Sequence, residues 1–177
     1  MPSSQSCSGF TVDHFFRLEQ PACFGVMGHS YGGYCMLVLL VRTNRFKAAV
    51  AGAGVYDLVR AYTGMSEDGS DTGLGWTETG QGSTGGSLWE WRDAYIENSP
   101  LYYLDRVDTP LLLVQGSEEG LGAGQAEAVF VALRRLGKRV ALQIYEGERH
   151  STWTWSEASY RDLCAQVLGW FDTYLKG

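Results

Sequence analysis

A serine flanked by glycines, Gly28-His29-Ser30-Tyr31-Gly32, is the feature of this sequence that most directly suggests chemistry. The pattern Gly-x-Ser-x-Gly is typical of a nucleophile elbow, a strained turn between a strand and a helix that presents the serine hydroxyl. A side chain at Gly28 or Gly32 is expected to collide with neighbouring backbone, which explains both glycines. In such a turn the backbone N–H of Tyr31 is free to stabilise an oxyanion. The motif therefore predicts acyl transfer through Ser30.

A serine hydroxyl needs a base to remove its proton, and the chain has three histidines. His29 belongs to the motif and is predicted to point away from Ser30. His14 precedes the motif in a predicted helix, where a surface or packing role is expected. His150 follows a predicted strand, at the edge where active sites of parallel sheets gather. The order serine, acid, histidine along the chain is also a hydrolase order. We therefore predict that His150 is the base.

The acid that orients the histidine is predicted in the loop 115–120, which follows the preceding strand. Glu118 and Glu119 are adjacent candidates there, and a solvated acidic loop is the alternative. Asp57, which follows an earlier strand, is a further candidate acid. Its alternative role is the N-cap of a short helical segment that begins at Leu58. The residues alone leave these alternatives open.

A parallel sheet is needed to position these residues, and the rest of the sequence predicts one. Apolar runs predict strands and periodic apolar residues predict helices; the strands are 23–27, 48–53, 111–114 and 140–145, and the helices are 12–19, 34–41, 126–136 and 160–174. Strands that alternate with helices indicate an α/β fold with right-handed crossovers. A glycine-rich span, about residues 62–88, is expected to be a long functional loop, because its aromatics argue against disorder.

The composition excludes several classes of function. With a net charge of −6 and no basic face, we expect no nucleic acid or anionic membrane as partner. No apolar run approaches the roughly 20 residues that span a bilayer, and the polar N-terminus lacks signal-peptide features. The cysteines form no metal-ligand spacing with the histidines; Cys23, Cys35 and Cys164 are predicted to be small buried hydrophobes, and Cys7 lies in the tail. We therefore expect a cytoplasmic protein without metal or cofactor.

Beyond the serine motif, residues 12–175 resemble the C-terminal catalytic domain of the prolyl oligopeptidase family of serine peptidases. The segments that carry the resemblance keep the family's order along the chain: GVMGHSYGGY at 25–34, RFKAAVAGAG at 45–54, NSPL at 98–101, TPLLL at 109–113, ALRRLG at 132–137 and YEGERH at 145–150. The resemblance implies an α/β-hydrolase fold and a peptide substrate. It also implies that Ser30 is the nucleophile, that His150 is the catalytic histidine, and that Glu119 occupies the position of the family's aspartate.

The family's substrate pocket corresponds to the aromatic span of this chain. By that resemblance Trp76, Trp89 and Trp91 are expected to line the pocket for the residue before the scissile bond. Core packing is the alternative role for these tryptophans. Residues 1–10 are predicted to be a loose tail, and residues 11–177 to form the hydrolase domain.

Three departures from the family pattern lead to further expectations. Glu119 replaces an aspartate, and its extra methylene displaces the carboxylate. Gly122-Ala123 replaces the usual Val-Pro, which is expected to loosen the loop. The chain starts just before the elbow strand, so the resemblance implies an N-terminally truncated domain without the early strands, one oxyanion donor and the propeller. The elbow strand is then an exposed edge, which we expect to pair with another copy or with a complementary N-terminal fragment.

The sequence thus predicts a partial α/β-hydrolase domain that hydrolyses peptide bonds through an acyl-enzyme on Ser30. His150 shuttles the proton, Glu119 orients the imidazole, and the N–H of Tyr31 holds the oxyanion. An esterase of the same fold and a catalytically weak remnant that binds a partner are the alternatives.

Overall fold

The computed structural model of the protein describes residues 24–65, 69–71, 73–120, 122 and 124–176. It contains a sheet of four parallel strands, and the candidate catalytic residues follow the ends of three of them. The predicted tail 1–10 and the predicted helix 12–19 lie outside the described residues, and so do Cys7, His14 and Cys23. The described elements are β1 (Gly25–His29), α1 (Tyr31–Leu40), β2 (Ala48–Gly52), α2 (Leu58–Thr63), α3 (Leu74–Glu78), α4 (Arg92–Glu97), a 3₁₀ helix (Pro100–Arg106), β3 (Leu111–Glu118), α5 (Gln125–Arg135), β4 (Val140–Arg149), a second 3₁₀ helix (Thr152–Thr154) and α6 (Glu157–Leu175).

The strands lie in the sheet in the order in which they occur in the chain, β1-β2-β3-β4. Each pair of neighbours is parallel, and the register pairs His29 with Gly52 and Gly52 with Val114. This arrangement confirms the predicted parallel α/β sheet. It also brings the carboxyl ends of all four strands to one edge, which is where the candidate residues lie.

Alternating residues of the central strands bury opposite faces of the sheet. Leu111 and Leu113 of β3 pack into a cluster with residues of α1 and α5, such as Leu37 and Leu133. Leu112 and Val114 pack on the other face, where α6 lies. A strand that reads as a continuous apolar run is therefore buried on both faces, as expected of a parallel sheet.

In its described residues, the glycine-rich span 62–88 contains more helix than the sequence predicts. It contains α3, and Thr77 of that helix is fully buried, with its hydroxyl donating to the Gly73 carbonyl at 2.8 Å. Trp76 and Leu88 pack against a third cluster, formed by α2, Val55 and Tyr95 of α4. The prediction of one long loop is wrong because tertiary packing stabilises helices too short to be stable alone.

Two further expectations need correction. Strand β4 continues to Arg149 rather than ending at Tyr145, so His150 follows the strand directly. Cys164 was expected to be buried, but it is exposed, and Cys35 is only partly buried. The reason is that Cys164 lies on α6 beside an open groove that Met27 and Leu168 also line. None of the helices in the described ranges is long and apolar enough to cross a membrane.

Candidate active site

Ser30 lies in the turn between β1 and α1 with a strained backbone. Its φ of 59° and ψ of −122° are outside the regions that residues with a side chain normally adopt. The backbone N–H of Ser30 donates to the Gly52 carbonyl at 2.8 Å, which ties the turn to β2. The sheet therefore holds the strained conformation, as the motif predicts for a nucleophile elbow.

The steric need for glycine is confirmed at Gly28, is absent at Gly32, and extends to the next glycine, Gly33. A Cβ at Gly28 would overlap the backbone of Gly32, and a Cβ at Gly33 would overlap the carbonyl of Gly52. A Cβ at Gly32 would meet no atom within 4 Å among the neighbours considered. The expectation of a collision at Gly32 is wrong. The backbone of Gly32 lies close to Gly28, but a Cβ on Gly32 would point away from that contact into open space.

A chain of two hydrogen bonds joins the three predicted residues. Nε2 of His150 lies 2.8 Å from Oγ of Ser30, and Nδ1 of His150 lies 2.8 Å from Oε2 of Glu119. A carboxylate only accepts, so Nδ1 carries the proton and Nε2 is left to accept the hydroxyl proton of Ser30. The structure thus brings together Ser30, His150 and Glu119 from three separate loops in the geometry that a nucleophile and its base require.

The ends of β3 and β4 position the histidine and the acid. The register between these strands shifts between Gly116 and Glu118, and a Cβ at Gly116 would overlap the backbone of Glu148. The indole N–H of Trp155 donates to the Arg149 carbonyl at 2.7 Å. These contacts fix the backbone on both sides of the loop from which the imidazole projects.

The alternatives for the acid have other partners. Glu118 accepts from Nε of Arg149 at 3.0 Å and is half-exposed, so it points away from His150. Asp57 accepts from the N–H groups of Val59 and Arg60, which makes it the N-cap of α2. The side chain of Glu119, by contrast, is 1% exposed. Of the three candidates, Glu119 is the one that contacts the histidine.

The two histidines at the site are shifted in opposite directions. The hydrogen bond to Glu119 raises the pKa of His150 above its usual value, against the smaller opposing effect of burial. Burial, and then the nearby charge of His150, lower the pKa of His29. His150 therefore takes up a proton more readily than His29, although the two rings are neighbours.

Tyr31 is the first residue of α1, so its N–H has no acceptor within the helix and faces the turn that contains Ser30. The ring of Tyr31 lies 6.4 Å from that of Trp76, which brings this tryptophan to the site. Trp89 is 73% exposed and lies edge-on to Tyr62, and Trp91 is 52% exposed. The structure therefore brings one of the three predicted pocket tryptophans next to the nucleophile loop and leaves two on the outer surface.

Two residues near the site carry roles that the sequence did not reveal. The ring of His29 packs on His150, with ring centroids 5.1 Å apart. The side-chain oxygen of Gln125 accepts from the N–H groups of Tyr56 and Asp57 at 2.7 and 2.8 Å, which ties the start of α5 to the loop after β2. No periodicity or motif marks such a buried glutamine.

Within the described ranges, no group of three or more His, Cys, Asp or Glu side chains is placed to hold a metal ion.

The sequence is similar to that of known peptidases. Residues 17–177 match the prolyl oligopeptidase family, peptidase S9. A curated relative from Bacillus subtilis (strain 168), the uncharacterized peptidase YuxL, is 30% identical over 157 residues, which cover 88% of this chain and 23% of the relative.

Solved structures with the same fold are also peptidases. An acylaminoacyl peptidase from Pyrococcus horikoshii is 26% identical with a TM-score of 0.79, over 93% of this chain and 27% of that one. An acylaminoacyl peptidase in complex with Z-Gly-Gly-Phe-chloromethyl ketone is 26% identical with a TM-score of 0.76, over 93% of this chain and 26% of that one. The sheet is therefore that of an α/β-hydrolase, as predicted, and the chain spans about a quarter of the length of these proteins.

Proposed function

The chain belongs to the prolyl oligopeptidase family, and on that premise we propose that it is a serine hydrolase that cleaves peptide bonds through an acyl-enzyme on Ser30. The observation that carries this proposal is the position of His150, with one ring nitrogen 2.8 Å from the serine hydroxyl and the other 2.8 Å from a buried carboxylate. A histidine base activates a serine nucleophile when it contacts both the hydroxyl and an acid, which is the arrangement beside this strained turn.

In the first half of the proposed reaction, Oγ of Ser30 attacks the carbonyl carbon of the substrate and its proton passes to Nε2 of His150. Glu119 stabilises the imidazolium that forms and keeps its proton on Nδ1. The electron pair of the carbonyl moves to the oxygen, and the N–H of Tyr31 donates to that oxyanion. The positive end of α1 adds to this stabilisation, because the helix begins at Tyr31.

In the second half, His150 returns the proton to the leaving amine and the C–N bond breaks. A water molecule then attacks the acyl-enzyme, with His150 as its base, and the acid product leaves with Ser30 restored. His150 is suited to both steps because its side chain is 47% exposed, which leaves room for the leaving group and for water.

A peptide is the proposed substrate. The family and the relative that binds a peptide chloromethyl ketone support this class. The aromatic ring of Trp76 beside Tyr31 gives the site an apolar wall close to Ser30, which suits the side chain before the scissile bond. Trp89 and Trp91 are proposed to act further out, because their indoles are largely exposed.

A fluorophosphonate probe tests the proposal, since it labels only a serine that a base activates. The chain should be labelled, and Ser30→Ala should remove the label without changing the circular dichroism spectrum. A chain that is not labelled would instead be the binding remnant. Parallel assays with an ester and the matching amide then separate the esterase alternative, because an esterase turns over only the ester.

Two further proposals concern the surroundings of the chain. In the part that the structure describes, no strand pairs with the outer edge of β1, and Met27 of β1 is 60% exposed. This supports pairing of that edge with another copy or with a complementary N-terminal fragment. The cytoplasmic location stays a prediction; it is compatible with Cys35 and Cys164 being free thiols.

A further inference from the structure

His29 lies on the face of the sheet opposite to its neighbour Gly28. Gly28 faces α1, and because side chains alternate along a strand, His29 faces α6. Its ring centroid is 5.1 Å from that of His150, with the ring planes at 47°. A Cβ at Gly52 would lie only 3.1 Å from Nδ1 of His29, so the ring fits closely between β2 and His150.

One nitrogen of this ring, Nε2, gains little from the position. Nε2 of His29 is buried and makes no hydrogen bond of good geometry within the described part of the chain. The nearby backbone of His150 favours protonation of His29, but burial and the charge of His150 outweigh it, and the pKa of His29 is lowered. Burying an unpaired polar atom costs stability, so packing alone is a poor reason for a histidine here.

The ring of His29 contacts the ring of His150, the proposed base. Glu119 and Ser30 hold the two nitrogen edges of the His150 imidazole, but hydrogen bonds in the plane of a ring leave its faces free. The side chain of His150 is 47% exposed, so one side of it is open to solvent. His29 covers the ring from β1.

We propose that His29 is a positioning residue for acyl transfer at Ser30: its neutral ring packs on the imidazole of His150 and keeps Nε2 of His150 directed at the serine hydroxyl. This inference rests on the proposed function, and it assigns a task to the residue before the nucleophile. A neutral partner is required, because a second positive charge would oppose the imidazolium that forms when Ser30 attacks.

The other titratable groups around the pair are few in the described ranges. Glu119 faces His150 from the loop after β3, and Tyr56, which is buried, lies near that carboxylate. From α6, Tyr160 and Cys164 line the groove that His29 enters. Glu119 is the nearest negative charge and acts on both histidines, so its effect is common to all variants at position 29.

Three variants of the full chain test the inference. His29→Ala removes the ring, His29→Phe keeps a ring that cannot titrate, and Leu168→Ala is a control on α6, in the groove that His29 enters. Two measurements are made: the rate constant for fluorophosphonate labelling, and the titration of His150 followed by the proton NMR signal of its ring. The chain has three histidines, so the ring signals are assigned by their loss in single variants.

In His29→Ala we expect labelling about ten-fold slower, because a mobile imidazole is less often aligned with the hydroxyl. The pKa of His150 should rise further, since added solvent removes part of the burial that opposes its protonation. His29→Phe should keep labelling within about two-fold of the wild type, because an aromatic ring still packs on the imidazole and the open groove beside α6 can take up its larger volume. Leu168→Ala should change neither measurement, because Leu168 is 65% exposed and lies on α6.

Wild-type labelling and an unchanged His150 titration in His29→Ala would overturn the inference, and so would an equal loss in His29→Phe and His29→Ala. A wild-type chain that the probe does not label overturns the proposed function and this inference with it. A labelled wild type that is indifferent to position 29 overturns the inference alone.

Discussion

Glu119 contacts His150 at full hydrogen-bond distance, with Oε2 2.8 Å from Nδ1, although a glutamate is one methylene longer than the aspartate of the family pattern. The displacement expected from the extra methylene therefore does not lengthen the contact. The other carboxylate oxygen, Oε1, is buried and without a hydrogen bond in the described part of the chain. Among the described residues, His150 is therefore the one hydrogen-bond partner of this carboxylate.

Glu119→Gln should lower the labelling rate of Ser30 by about 10³–10⁴-fold. An amide that donates to Nδ1 stabilises the wrong tautomer of His150, whose Nε2 then carries the proton and cannot accept one from Ser30. The matched control is Glu118→Gln, which loses only an exposed ion pair with Arg149 and should be near wild type. Equal small effects of the two changes would move the acid role to Asp57.

The pH dependence should reflect the raised pKa of His150. Only the neutral imidazole accepts a proton, so labelling should fall as the pH drops through a pKa above the usual 6.5. Since the hydrogen bond to Glu119 is the main cause of the shift, Glu119→Gln should move the acid limb of any residual activity to lower pH. An acid limb at the same pH in both chains would contradict this cause.

The same shift sets the sign of the contribution of His150 to stability. The folded chain binds this proton more tightly than the unfolded chain does. Protonated His150 therefore stabilises the fold at pH values below its unfolded pKa, and the contribution disappears as the pH rises through the folded pKa. Urea unfolding at several pH values, compared with Glu119→Gln, measures it.

Gly28→Ala and Gly32→Ala should differ sharply although both change the serine motif. A Cβ at Gly28 overlaps the backbone of Gly32, so Gly28→Ala should cost about 3 kcal/mol of unfolding free energy. A Cβ at Gly32 enters open space in the first turn of α1, so Gly32→Ala should stay within about 1 kcal/mol of wild type. Thermal unfolding of both variants is the measurement. Equal destabilisation would mean that the turn relaxes around a Cβ at Gly28.

Much of the site followed from the sequence because its signals are local or topological. The glycine pattern around Ser30 encodes a backbone conformation, and a histidine in the loop after a parallel strand must lie at the sheet's carboxyl edge. The position of Glu119 followed from the resemblance to a family, since two adjacent glutamates cannot be told apart by composition. The alternation of apolar runs similarly sufficed for four parallel strands.

The rest depends on contacts between distant parts of the chain. Helix α3 forms because Thr77 is buried under residues of other elements, and no five-residue segment encodes a helix by itself. Cys164 lies among the apolar residues of a predicted helix, which suggests burial. Its actual exposure depends on which other elements pack against α6. The contact of His29 with His150 joins residues far apart in the chain, so no local pattern at the serine motif predicts it.

Trp76→Ala should raise KM for peptide substrates with an apolar residue before the scissile bond, while Trp89→Ala should leave it near wild type. The ring of Trp76 lies against Tyr31 beside the nucleophile, whereas Trp89 is 73% exposed and lies on Tyr62. Steady-state kinetics with a matched pair of substrates, one apolar and one polar at that position, is the measurement. A larger effect of Trp89→Ala would place the pocket on the outer side of the aromatic span.

The last prediction concerns the edge strand β1, whose outer edge has no partner strand in the described residues. An edge with free N–H and C=O groups and an exposed apolar side chain pairs readily with another chain. We therefore expect size-exclusion chromatography with light scattering to give a mass above that of one chain. Met27→Lys should shift the chain towards the monomer, because a charge on an edge strand opposes pairing.

Met65→Lys is the matched control for the edge, because Met65 is 75% exposed but lies outside the sheet. It should leave the mass unchanged. If an N-terminal fragment of a family member covers the edge instead, adding that fragment should replace the self-association by a one-to-one complex and increase the labelling rate of Ser30. A wild-type chain that is monomeric at all concentrations, with the same labelling rate before and after the fragment is added, would contradict pairing at this edge.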